Sequence, residues 1–136
     1  MAPEATMSNV HAGVLYAALA LLGLSLLGPG LVETFRRRTG HTWLIADSAE
    51  ARSHLRGLHA MMTAVGMIAL WALWDIERAR AQVLALGVVL VALVVARLYS
   101  LLVDGFPGTT TLTYLTLEAL LAALFLIWPP PVPAAG

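Results

Sequence analysis

Residues 81–103 leave this chain the fewest choices. Twenty-three residues pass with a single charged side chain, Arg97. Within them, Val88 to Val95 is almost purely β-branched and aliphatic. In water such a run reads as a buried strand, but the whole stretch is far too long for one. In lipid every backbone N–H and C=O must be satisfied inside the segment, so the run has to be helical. Three further apolar runs of bilayer length accompany it, roughly at 12–31, 48–74 and 110–128.

The composition agrees with a lipid-facing chain. Charged residues make up 12% of the 136 residues, about half of what soluble domains carry, and mean hydropathy is +0.83. The expected fold is all-α, a polytopic, antiparallel bundle of four transmembrane helices forming a single membrane domain over 1–136. Its helices are expected at about 12–31, 48–74, 81–103 and 110–128, with a proline-rich tail over 129–136. There is no room for a separate catalytic domain. Formal net charge is zero and all eight basic residues are arginine, so no basic face for nucleic acid is expected. No cysteine is present, which excludes disulfides and thiolate chemistry.

Local signals set the boundaries. Residues 1–10 hold one acidic and no basic side chain, unlike a cleaved signal peptide, so the first run is expected to be retained. Gly28-Pro29-Gly30 is expected to kink or end helix one. Glu33 to Arg38 would then form a charged exit from the bilayer, and Trp43-Leu44-Ile45 would lie among headgroups. Asp47 followed by Glu50 fits a capping box opening helix two, whose far end Trp71 and Trp74 mark. The short connection at 75–80 forces an antiparallel neighbour. Asp104-Gly105-Phe106-Pro107-Gly108 is strong turn chemistry, and Thr109 or Thr110 can cap helix four. With four crossings, the 32–53 and 104–109 connections share one side, here called the loop side. Both chain ends share the other side with 75–80. Arg36, Arg37, Arg38, Arg52 and Arg56 lie towards the loop side, against Arg78 and Arg80 opposite. The positive-inside rule then puts the loop side in the cytoplasm and both termini outside.

Ionisable groups inside the spans are the functional candidates. Arg97 is seven residues before Asp104, about 10 Å inside the loop-side end of helix three. Glu118 is eight residues past Thr110, about 12 Å along helix four from the same side. The two reach similar depth on a helical hairpin, where each relieves much of the other's desolvation cost. Ser100 and Asp104 share the Arg97 stripe, Thr111 and Tyr114 share the Glu118 stripe, and Arg52, Arg56, His59 and Thr63 form one on helix two. All three stripes occupy the loop-side half, so a polar funnel open on that side is expected.

Arg56, His59, Arg97, Ser100, Asp104, Tyr114 and Glu118 are the candidate ligand-binding residues. Arginines facing inward suit a phosphate or carboxylate, and an apolar lower half suits an acyl or isoprenoid tail. The expected ligand is therefore an anionic amphiphile, a membrane lipid or isoprenoid. A plainer reading stands beside it, in which the Arg97–Glu118 pair fixes helix register and Arg52 and Arg56 reach headgroups. The alternative role is a non-catalytic accessory subunit, or a homo-oligomer, packing through Gly23, Ser25 and Gly28. A third is an intramembrane enzyme using His59 and Glu118 as acid and base. No catalytic residue, metal or cofactor is assigned. His11 lies on the opposite side from His59, so no bis-histidine haem site forms within the helices. The chain carries no Walker loop, nucleophile elbow or zinc motif.

Several of these residues also carry a resemblance. Asp47 with His54-Leu55-Arg56-Gly57-Leu58, the Trp74-Asp75-Ile76-Glu77-Arg78 connection, Ala96-Arg97-Leu98-Tyr99-Ser100, Asp104-Gly105, Pro107 and Glu118 resemble the family catalogued as domain of unknown function 4345. The resemblance covers about residues 14–128. It implies a four-helix, multi-pass protein of the bacterial inner membrane and no particular activity. Proteins of the DoxX-like type are similar in architecture, which does not carry function. The arginine triplet at 36–38 is not part of the resembling pattern.

Overall fold

A computed structural model describes residues 7–36 and 46–132. It holds four helices: α1 over Asn9–Phe35, α2 over Ala49–Ala72, α3 over Arg80–Val103 and α4 over Thr109–Ile127. No strand occurs among the described residues. All four are long and apolar enough to cross a membrane, and the chain is an all-helical, multi-pass membrane protein. Mean hydropathy is highest for α3, at 2.5, and lowest for α2, at 1.3, because α2 carries the arginine–histidine stripe. The described chain forms two compact units: Met1–Tyr16 with Asp75–Gly136, and Ala17–Trp74.

In the second unit, α1 and α2 run antiparallel at close range through glycine. A Cβ placed on Gly66 would stand 2.7 Å from the Leu27 amide nitrogen and 2.9 Å from the Gly23 carbonyl oxygen. One placed on Gly30 would stand 2.9 Å from the His59 carbonyl oxygen. Only residues without side chains let two helix backbones come this near, and dispersion over that contact replaces the hydrophobic drive that lipid lacks. Gly23 is thus used within the chain, against Leu70 and Gly66. Of the small-residue face expected to meet a partner, Ser25 and Gly28 remain exposed.

The sequence leads one to expect a kink or an end at Gly28-Pro29-Gly30; α1 does not end there but continues through Pro29 to Phe35. Proline in a helix costs an amide hydrogen bond and clashes with the Cβ of the preceding residue. That residue is Gly28, which has no Cβ, and breaking the helix within lipid would strand more backbone groups than proline does. The continuation brings Glu33 into the helix, one turn beyond Gly30 and buried. Arg37, Arg38, His41 and Trp43-Leu44-Ile45 lie outside the described residues, as do residues 1–6 and 133–136.

Two caps also differ from expectation. The N-cap of α2 is Ser48, not Asp47, and its side chain accepts a hydrogen bond from the Ala51 amide at 3.0 Å. Helix α2 ends at Ala72, and a run of turns over 73–79 carries Trp74, 91% exposed, and leads into α3. Helix α4 begins at Thr109 with Gly108 as N-cap and no side-chain hydrogen bond, so neither Thr109 nor Thr110 caps it. Pro107 and an extended Gly108 deliver the chain to the helix. The reversal itself is made by Gly105, the one described residue with positive φ, at 92°.

In the first unit, α3 and α4 form the hairpin. Gly87 admits Leu126 and Phe125, and Val83, Leu86, Leu90, Ala122 and Phe125 are buried. These positions recur every three or four residues, one stripe on each helix. Further towards the turn the same stripes continue as Arg97 and Leu101 on α3 and as Leu115 and Glu118 on α4, all of intermediate burial.

Candidate functional site

The stripe arithmetic puts Arg97 and Glu118 at one level of the α3–α4 hairpin, and they meet there. Arg97 Nε donates to Glu118 Oε2 at 2.6 Å, and Arg97 Nη2 donates to Oε1 at 2.9 Å. This is the side-on, two-bond geometry that a planar guanidinium makes with a carboxylate. The Glu118 side chain is 15% exposed and the Arg97 side chain 33%. Glutamate is the more enclosed member, and arginine is the one that reaches outward.

The other expected members of this stripe do not join the pair. Ser100 donates to Asp104 Oδ2 at 2.7 Å, a local bond across one helical turn. Asp104 therefore closes onto its own helix at the turn, and its carboxylate makes no ion pair among the described residues. Tyr114 is 53% exposed, and its hydroxyl makes no hydrogen bond among the described residues. Thr111 is half-buried beside it.

The helix-two stripe belongs to the other unit. His59 is buried, and Thr63 Oγ1 donates to the His59 carbonyl at 2.9 Å. Arg56 Nη2 donates to the Arg36 carbonyl at 3.4 Å, at the end of α1. Arg52 Nη1 reaches the carbonyls of Ala46 at 3.3 Å and Asp47 at 3.4 Å. Each of these two arginines makes its recorded contacts with neutral oxygens only. Arg36, by contrast, is held by Glu33 at 2.5 Å. Glu33 is the polar residue that sequence reasoning missed. Its one-turn spacing from Gly30, where α2 comes close, is the signal that places it on the buried face once α1 is known to continue.

A second polar cluster sits at the terminus-side end of the α3–α4 unit, where only apolar side chains and tryptophans were expected. The rings of His11 and Trp128 stack with centroids 4.1 Å apart and planes 2° from parallel. His11 Nε2 also lies 2.9 Å from the Trp128 carbonyl oxygen. Arg80 donates to the carbonyl of Pro130, which is fully buried. Together these contacts fasten the start of α1 and the tail after α4 to one end of the hairpin.

Two surface grooves are apolar and lie elsewhere. One, of about 410 Å³, runs along α4 past Thr109, Leu112, Thr113, Thr116 and Leu117. The other, of about 350 Å³, lies on α2 beside Ala64, Met67, Ile68 and Trp71. Neither is lined by any of the expected ligand-binding residues. No cluster of three or more metal-ligating side chains occurs among the described residues.

The model of one protein family, described as Domain of unknown function (DUF4345), matches residues 14–129 of the chain. No curated protein and no solved structure matches it.

Proposed function

We propose that this chain, which belongs to the DUF4345 family, binds an anionic membrane amphiphile at the loop-side end of α2. The head group rests on Arg52 and Arg56, and the tail lies along Leu55 and Leu58. The observation that carries this reading is the distribution of carboxylates. Among the described residues Arg36, Arg78 and Arg97 have acidic partners. Arg52 and Arg56, one turn apart on α2, have only carbonyl oxygens at 3.3–3.4 Å. Those distances are at the long end for an N–H···O bond, so a phosphate or carboxylate oxygen can replace them with a gain. Glu50, the acidic residue in the first turn of α2, lies 3.8 Å from His54 instead.

The surroundings suit a lipid. Four residues separate the two arginines, about 6 Å along the helix, so they present charge from the interface inward. Leu55, on the turn between them, is half-buried, and Leu58, deeper along the helix, is 50% exposed. The membrane proposed is the bacterial inner membrane with the loop side cytoplasmic, where anionic lipid attracts basic residues near the surface. Arg97 and Glu118, which the sequence offered as part of the same site, neutralise one another and leave the anion to α2.

Thermal unfolding in maltoside micelles tests the reading. A ligand at one hundred times its dissociation constant stabilises by about 2.7 kcal/mol. Added phosphatidylglycerol is expected to raise the midpoint of the wild type well above the effect of phosphatidylcholine. Arg52→Gln,Arg56→Gln is expected to respond to both lipids alike. A variant that keeps the full phosphatidylglycerol response would overturn the proposal.

A further inference from the structure

The Arg97–Glu118 pair is a clasp for the hairpin, yet it leaves part of Arg97 unused. A guanidinium has five N–H groups. Glu118 takes one on Nε and one on Nη2. The two on Nη1 and the second on Nη2 have no partner among the described residues. The bonded edge is the Nε–Nη2 side, so Nη1 points away from the carboxylate. A third of the Arg97 side chain is exposed, in a stretch where exposed Val95, Leu98, Leu102 and Leu117 make the surroundings apolar.

We propose that the free edge of Arg97 is a binding site for the carbonyl oxygen of an uncharged lipid, such as an ester or a quinone. The charge balance selects this class. Arg97 and Glu118 are neutral as a unit, so an anion bound there would bring an uncompensated charge about 10 Å into the apolar span. A carbonyl brings none, and it still receives hydrogen bonds from a charged donor, which are stronger than neutral ones. Unused N–H groups at that depth have little water to turn to, so the acceptor is supplied by a molecule that partitions into the bilayer. Glu118 is then a positioning residue, because it fixes which edge of the guanidinium is presented. This site is independent of the one on Arg52 and Arg56, differs from it in ligand charge, and stands if that proposal fails.

The test titrates delipidated protein in maltoside micelles with three probes, read by native mass spectrometry. The probes are a diacylglycerol, an isoprenoid quinone and a long-chain alkyl phosphate, an anion without a carbonyl. The wild type is expected to take up at least one of the two uncharged probes, and which one identifies the source of the carbonyl. Arg97→Met,Glu118→Leu leaves no stranded charge, and its binding of that probe is expected to weaken roughly tenfold, the factor one lost charge-assisted bond brings. Arg52→Gln,Arg56→Gln is expected to bind the probe as the wild type does. Arg97→Lys keeps an ion pair with Glu118 but has no planar edge turned away from it. It is expected to weaken binding of the probe by up to the same factor while keeping the ion pair, so the proposal stays testable if the double variant misfolds. Failure of the wild type to take up either uncharged probe, equal uptake by Arg97→Met,Glu118→Leu, or displacement of the probe by the alkyl phosphate would overturn the proposal.

Discussion

Replacing Glu118 with glutamine removes a charge and almost no volume, which isolates what the ion pair contributes. In the wild type the carboxylate accepts two bonds from Arg97, at 2.6 and 2.9 Å. The amide keeps one oxygen acceptor and turns a donor towards the guanidinium in place of the second. Arg97 is then a cation in an apolar span without a counter-charge. Breaking a fully buried pair in this way costs about 3–5 kcal/mol. Arg97 is one-third exposed and its long side chain can extend towards the headgroups, which reduces the expected loss to about 2–3 kcal/mol. The double replacement Arg97→Met,Glu118→Leu strands nothing and fills the same space with apolar atoms. It is expected to fall within about 1 kcal/mol of the wild type, on either side. The assay is unfolding in mixed micelles by titration with a denaturing detergent, followed by tryptophan fluorescence. If Glu118→Gln unfolds like the wild type, or the double variant is as unstable as the single one, the pair does not clasp the hairpin.

Three further outcomes follow from the backbone contacts and the terminus-side cluster. Gly66→Ala drives a methyl to 2.7 Å from the backbone nitrogen of Leu27, which cannot swing away. It should destabilise by about 1–3 kcal/mol, whereas Gly57→Ala on the same helix, with nothing within 4 Å, should be neutral or stabilise by up to about 1 kcal/mol; the same titration measures both. Gly105→Ala must hold φ at 92° with a side chain in place, a loss of about 1 kcal/mol or more in that titration. His11→Leu removes the stacked ring and the contact with the Trp128 carbonyl. In a variant whose only tryptophan is Trp128, it should make the emission more quenchable by acrylamide, and unchanged quenching would show that His11 does not hold the tail.

How far the chain could be read from its residues depended on how local the deciding interaction was. The run from Val88 to Val95 had to be helical in lipid, and α3 begins and ends within a residue of the stretch that contains it. Arg97 and Glu118 could be paired by counting rise from a shared turn, because a hairpin fixes depth on both arms. Adjacent cap-forming residues defeated the same approach at α2. Asp47 and Ser48 are both good N-caps, and only the geometry shows that Ser48 takes the role. At Pro29 the local preference pointed the wrong way, since a break that water would tolerate is prohibitive in lipid. That one misreading also hid Glu33, whose burial follows from the helix continuing past Gly30. The His11–Trp128 stack was missed because spacing along one helix does not show which rings of distant segments meet. Tyr114 falls on the Glu118 stripe by its spacing alone, and its exposure depends on packing that spacing does not encode.

The most direct measurement of the proposed function is the mass of what the protein carries out of the membrane. Wild type and Arg52→Gln,Arg56→Gln, extracted side by side in a mild detergent, would be compared by native mass spectrometry. The wild type is expected to retain an anionic lipid of defined mass, and the double variant to lose that species while keeping its folded charge-state distribution. Identical lipid adducts on the two proteins, or a wild type that carries no anionic lipid, would contradict the assignment of an anionic amphiphile to Arg52 and Arg56.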